Sequence, residues 1–196
     1  MLHQDGLAAS VDSTVEVRAA RVRGAVFEIK SLCEDFRMQI CGGMVGAVQL
    51  FESGIVPKLL ANAGTWVGIT ATTIKKLDAI QNLFVQVVLR LPSSTVLPSY
   101  RAETAMVGFK WRVYLEKLRL MEAIKRQEDE VLAKEVLEQQ LLMGWLDLAR
   151  EVKEICREVG LPNICYVEVD KKTMEQAVFY NHYKLLKEEM KIGCNK

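Results

Sequence analysis

The chain has 196 residues, about half of them hydrophobic and a quarter charged. That excludes a disordered tail and leaves room for one good core or two small ones. Net charge is +1, so the chain taken whole makes no case for a polyanionic partner. Ala, Leu, Glu, Lys, Met and Gln are plentiful and Pro occurs four times, a mixture that favours helix.

Charge is unevenly placed. Residues 1–57 carry five Lys/Arg against seven Asp/Glu, residues 58–126 eleven against four, and residues 127–196 ten against fourteen. A basic middle between acidic ends can mark a surface that faces a polyanion. Five cysteines without a close CxxC pair suit reduced thiols inside a cell. Residues 1–15 lack the apolar core of a signal peptide, and Glu52, Pro57 and Lys58 interrupt the best membrane candidate. The expectation is a soluble intracellular protein, cytoplasmic or nuclear, with no membrane partner.

In chain order, residues 1–11 are short of helix signals and read as a loop or strand remnant. A helix is expected from Asp12 to Met38, capped by Asp12 or Ser13 with Glu16 closing a capping box. Val15, Ala19, Val22, Val26, Ile29 and Cys33 recur at helical spacing and form its buried stripe. Gly24 interrupts this helix at a cost of about 1 kcal/mol relative to Ala. Gly42-Gly43 breaks the chain, and Val45, Val48, Leu50, Phe51, Ile55, Val56, Leu59 and Leu60 line the next helix. Pro57 should kink it and Ala63-Gly64 end it, leaving Trp66 at a hinge.

Thr72 or Thr73 caps a further helix with the stripe Ile74, Leu77, Ile80 (or Gln81), Phe84, Val87 (or Val88) and Leu91. Pro92 stops it. A short helix follows near 99–107, then a longer one from Lys110 that buries Trp111, Leu115, Leu118 and Met121. Helices are expected at 129–142 and at 147–159, the latter ended by Gly160-Leu161-Pro162. Asn163–Asp170 (NICYVEVD) is the one strand-like run. A last helix, 173–191, carries Met174, Val178, Leu185 and Met190. The fold class is all-α, a helical bundle of about seven or eight helices joined by short loops.

Candidate chemistry is sparse. Cys156, Cys165 and His182 share a region, but their spacing matches no common zinc site, and they read as buried or inert side chains. Carboxylates sit among lysines on solvated helix faces. Gly42, Gly43 and Gly46 lack the Lys-Ser/Thr of a phosphate loop. What remains is a set of cations with interleaved aromatics: Lys75, Lys76, Arg90, Arg101, Lys110, Arg112, Lys117 and Arg119, with Trp111 and Tyr114 among them. Such residues neutralise phosphates and stack on bases, or form a solvent face around a core tryptophan.

Ordered landmarks add to this reading. They are Ile55-Val56-Pro57-Lys58-Leu59-Leu60, Trp66, Leu77-Asp78, Gln81, Phe84, Leu89, Leu91-Pro92, Ser94-Thr95, Glu103 and Arg112. Over about residues 2–126 the chain resembles the C-terminal part of a non-LTR (LINE-type) retrotransposon reverse transcriptase. The resemblance implies a thumb-like bundle at 12–95 and a helical connection with C-terminal extension at 96–196, while 1–11 would lead out of a palm. It implies a grip on the RNA/DNA template–primer duplex, with Arg18, Arg21, Arg23 and Lys30 added to the basic set above. No two Asp are adjacent, so the palm's Tyr/Phe-x-Asp-Asp turn is lacking. Fingers and palm would precede Met1 and hold the Mg2+ of the parent enzyme. The chain itself is expected to need no cofactor, to take no small-molecule substrate and to be no enzyme alone. The alternative is an all-helical protein-interaction module, completed by a partner or a missing domain; self-association or an exposed apolar patch around Phe51, Leu59 and Trp66 would favour it.

Overall fold

The computed structural model describes residues 4–35, 43–94, 97–128, 132–143 and 148–193. Among them the fold is all-α and contains no strand. The helices are α1 (Gln4–Asp35), α2 (Met44–Leu50), α3 (Val56–Leu60), α4 (Ala71–Val87), α5 (Leu97–Thr104), α6 (Phe109–Lys125), α7 (Leu132–Met143), α8 (Leu148–Val159) and α9 (Lys171–Gly193). A π turn, Phe51–Ile55, joins α2 to α3. Counted as one bent helix, that run leaves eight helices among the described residues, as the sequence pattern predicts.

The residues fall into two compact units. The first takes 1–11, 62–69 and 110–182, and the second takes 12–61, 70–109 and 183–196. Residues on both sides of position 95 therefore enter each unit.

In the second unit, α1 follows its pattern closely. Val15, Ala19, Val22, Val26, Ile29 and Cys33 are all buried, Val15 and Val26 completely. The helix starts at Gln4, however, so residues 4–11 are not a loop. Gly6 lowers helix propensity without forbidding a helix, and Leu7-Ala8-Ala9 restore it. Asp12 consequently lies inside the helix and is not its cap. Residues 36–38 of the expected helix lie outside the described residues.

Pro57 acts as anticipated. It cannot donate to a preceding carbonyl, and the chain widens into the π turn just before it. Phe51, Ile55, Leu59 and Leu60 are buried, whereas Val45 is 61% exposed and Met44 is exposed with it, so α2 enters the core only from Ala47 onward. The run Met44–Thr65 has the length and apolar content to cross a membrane. Of its apolar window 39% is buried, with Phe51, Ile55, Leu59 and Leu60 in the core and the Phe51 and Phe84 rings 4.5 Å apart.

The α4 cap is Thr70, two or three residues earlier than expected, with its hydroxyl accepting from the Thr73 amide at 3.1 Å. Leu77, Ile80, Gln81, Phe84 and Val88 are buried. The helix ends at Val87, short of Pro92, because Arg90 takes a left-handed conformation (φ 54°) and the Leu91 amide reaches back to the Val85 carbonyl.

In the first unit, Trp111, Leu115, Leu118 and Met121 are buried on α6 as expected. Residues 62–69 press closely on that helix: a Cβ on Gly64 would stand 2.9 Å from both the Glu116 carbonyl oxygen and Leu120 Cβ. Gly160 (φ 73°) ends α8, where the Leu161 amide bonds the Cys156 carbonyl at 2.9 Å.

Asn163–Asp170 is a turn and loop, not a strand. Its backbone bonds go elsewhere. Lys125 Nζ donates to the Ile164 and Val167 carbonyls at 2.6 and 2.9 Å, the Cys165 amide donates to Asn163 Oδ1 at 3.2 Å, and Asp170 caps α9 by accepting from the Thr173 amide at 3.0 Å. With its polar groups satisfied this way, the run has no use for a strand partner. On α9, Met174, Val178 and Leu186 are buried and Leu185 is exposed, a one-residue shift from the expected stripe.

Candidate nucleic-acid interface

The cations expected to form a grip divide sharply by what they touch. In the second unit, Arg18 donates from its guanidinium to the Leu59 carbonyl at 3.2 Å and also to the Ala61 carbonyl. These belong to the C-terminal end of α3, whose last carbonyls lack intrahelical donors, so Arg18 serves as a side-chain cap. Lys76 bonds both Asp12 and Glu16. The Lys76 hydrogen bond holds the Asp12 carboxyl below its usual range, and the same contacts raise the Lys76 ammonium. Thr73 Oγ1 donates to the other Asp12 oxygen at 3.0 Å, so Asp12 ties α1 to α4. Lys30 stands 3.9 Å from Glu34, and Arg90 pairs with the same carboxylate at 2.8 Å.

Arg101 is the most deeply engaged cation of this unit. Its guanidinium donates to Asp78, and to Gln81 Oε1 at 2.9 and 2.6 Å, while Gln81 Nε2 donates to the Val107 carbonyl at 3.3 Å. Beside it Tyr100 donates to Asn82 at 2.9 Å, and burial pushes its hydroxyl above the usual range. Asp78 and Gln81 are two of the landmarks that carry the family resemblance. Both work in this network, which fastens α4 to α5 and the loop after it. Gly108 fits there without a side chain, since a Cβ would meet the Arg101 guanidinium at 3.0 Å.

In the first unit the basic residues of α6 are likewise occupied. Lys110 pairs with Glu158 at 2.5 Å, and Tyr114 donates to the second oxygen of that carboxylate at 2.7 Å. Lys117, 3% exposed, pairs with Glu151, whose other oxygen accepts from the Gly68 amide at 2.6 Å. Burial draws the Lys117 ammonium below its ordinary value, and the Glu151 charge opposes that shift. Arg119 bridges Glu116 and Glu175 at 2.8 and 2.6 Å. Arg112 is half-buried and engaged as well.

The interleaved aromatics offer no stacking platform. Trp111 is buried, edge-on to Tyr114 at 5.7 Å and to His182 at 6.2 Å. The thiols are equally enclosed: Cys33, Cys156 and Cys165 are buried, and burial raises the Cys156 thiol. Among the described residues no three His, Cys, Asp or Glu side chains are grouped to hold a metal ion. Phe51, Leu59 and Trp66 are buried too, so these three side chains form no exposed apolar patch of the kind that would favour an interaction module.

No family model, curated protein or solved structure matches the chain.

The candidates left uncommitted are Arg21, Arg23 and Lys75, which are exposed and pair with nothing among the described residues. Lys58 joins them. It is exposed on α3 and equally unpaired, and sequence reasoning missed it because it stands inside an apolar run. All four lie in the second unit. By sequence that unit holds fourteen Lys/Arg against ten Asp/Glu, a balance of +4, and the first unit holds twelve against fifteen, a balance of −3.

Proposed function

We propose that the chain is a thumb-like helical module of a non-LTR-type reverse transcriptase, which grips a template–primer duplex through its phosphates and supplies no catalysis of its own. The observation that carries this reading is the set Arg21, Arg23, Lys58 and Lys75: exposed cations that pair with nothing among the described residues, gathered in the net-positive unit. Most of the landmarks behind the resemblance lie in that unit as well. Leu59, Leu60, Leu77, Gln81 and Phe84 are buried there, as expected of a frame that holds its charges outward.

Contacts of this kind neutralise phosphates and release counterions, so affinity for an RNA–DNA hybrid falls steeply as salt rises. Fluorescence anisotropy with a labelled hybrid across a salt series tests it. Replacing Arg21, Arg23, Lys58 and Lys75 together with Ala should flatten the log–log salt slope by about one per lost phosphate contact. Residues two apart on a helix project from different flanks. Arg21→Ala and Arg23→Ala taken singly therefore report which flank of α1 meets the duplex. Absence of salt-dependent binding at low ionic strength would falsify the proposal.

A further inference from the structure

The first unit contains a cavity of about 290 Å³, bounded by the end of α7, by α8 and by the turn at 163–166. Its charge is one-sided. Arg150, Lys153 and Arg157 line it from α8 at positions i, i+3 and i+7, one per turn, which spreads them over ~10 Å along one wall. Among the described residues Glu154 is the one carboxylate in the lining; it pairs with Arg150 at 3.4 Å. Lys153 and Arg157 are exposed and form no ion pair among the described residues. The turn at 163–166 adds residues of another character to the lining: Tyr166, 70% exposed, and the buried Cys165 next to it in sequence.

These features share no role in the fold. The buried stripe of α8 runs through Val152, Ile155, Cys156 and Val159, so Lys153 and Arg157 are not needed to hold the helix. Two unneutralised cations facing a hollow attract an anion. A small oxyanion would leave most of the hollow empty and would ignore the tyrosine. A ligand that joins an anionic group to a flat ring uses both halves, the phosphate against Lys153 and Arg157 and the ring against Tyr166. The volume sits at the lower end of small-ligand sites, the scale of one nucleotide.

We propose that this cavity binds a nucleoside phosphate, either as a free nucleotide or as the 5′-phosphorylated end of a single strand. The inference is independent of the grip assigned to the second unit and departs from the expectation that the chain takes no small molecule.

Isothermal titration of the full chain tests it with uridine and adenosine 5′-monophosphates, the matching nucleosides and inorganic phosphate. Both nucleotides should bind with similar affinity, because every base offers a ring face. Nucleosides, which lose the charge-assisted contacts, and inorganic phosphate, which loses the stacked ring, should each bind at least about tenfold more weakly. Arg157→Glu should cost at least about as much with the melting temperature unchanged, since the residue is exposed. Tyr166→Ala should weaken the nucleotides and leave phosphate as it was. A 5′-phosphorylated oligonucleotide that competes at this site and binds more tightly than the mononucleotide identifies a strand end; equal binding identifies the free nucleotide. Nucleotide binding should survive the Arg21, Arg23, Lys58 and Lys75 replacement, which separates this site from the grip. Inorganic phosphate binding as well as the nucleotides, no saturable binding, or an Arg157→Glu variant that binds normally would each overturn the proposal.

Discussion

Helices α1 and α6 look alike as sequence. Each is long, each buries an apolar stripe, and each carries several cations that read as a phosphate-facing row. The structure separates them. On α6, Lys110, Lys117, Arg119 and Lys125 all end on carboxylates or carbonyls of their own unit. On α1, Arg18 caps a neighbouring helix and Lys30 is near Glu34, but Arg21 and Arg23 pair with nothing among the described residues. Counting Lys and Arg therefore does not locate a binding surface. What matters is which of them the fold has already used.

The sharpest test of that difference is Lys117. Truncation to Ala would leave the Glu151 carboxylate largely buried without its counter-charge, and breaking a buried pair from one side costs roughly 3–5 kcal/mol. Denaturant unfolding should show the loss as a lower midpoint with the slope unchanged. The double variant Lys117→Met with Glu151→Gln removes both charges and keeps an acceptor for the Gly68 amide, so it should recover much of that stability. If Lys117→Ala unfolds like the unmodified chain, the α6 cations are not committed to the fold.

Next in size is the glycine packed against α6. A methyl group on Gly64 would collide with a carbonyl oxygen and with a Cβ, neither of which can swing away. Gly64→Ala should cost about 1–3 kcal/mol by overpacking. Gly54, which has nothing within 4 Å of a built Cβ, is the control that should tolerate the same change.

How much of this was legible beforehand depends on how far along the chain the deciding partner lies. Local periodicity was enough for the α1 stripe from Val15 to Cys33, for the buried residues of α6 and for the stop at Gly160, because neighbours three or four residues apart set those features. The start of α1 is hidden because residues 1–11 are short of helix signals, and the Thr70 cap because Thr72 and Thr73 stand closer to the apolar run. Asn163–Asp170 reads as a strand by composition, yet its Ile164 carbonyl accepts from the Lys125 side chain and its Cys165 amide donates to the Asn163 side chain. The candidate interface was least legible of all. Lys117 meets a residue 34 positions away, Lys110 one 48 away, Arg119 one 56 away and Lys76 one 64 away, and no spacing rule reports such pairings. Lys153 and Arg157 escaped for the opposite reason: on α8 they resemble an ordinary solvated face until the cavity beside them is seen.

Gly24 brings the comparison back to α1. It lies exposed in mid-helix, and a Cβ there would meet nothing within 4 Å. No packing requirement offsets its low helix propensity. Gly24→Ala should therefore stabilise the protein by up to about 1 kcal/mol, read as a rise in melting temperature.

The smallest change in stability is expected where the functional claim is largest. Arg21→Ala and Arg23→Ala remove exposed side chains that hold no partner, and such surface changes usually stay within about 0.5 kcal/mol. Thermal melting of each variant should overlay the unmodified curve, while at least one of the two loses affinity for an RNA–DNA hybrid at low salt. The pairing of results is what discriminates. A variant that both melts early and binds weakly says only that the fold was disturbed, as Lys117→Ala would. A variant that melts normally and binds weakly shows a cation kept free for a partner outside the chain. If neither arginine changes binding while Lys110→Ala does, the contrast between the two helices is inverted, and committed cations would have to leave their carboxylates to meet the duplex.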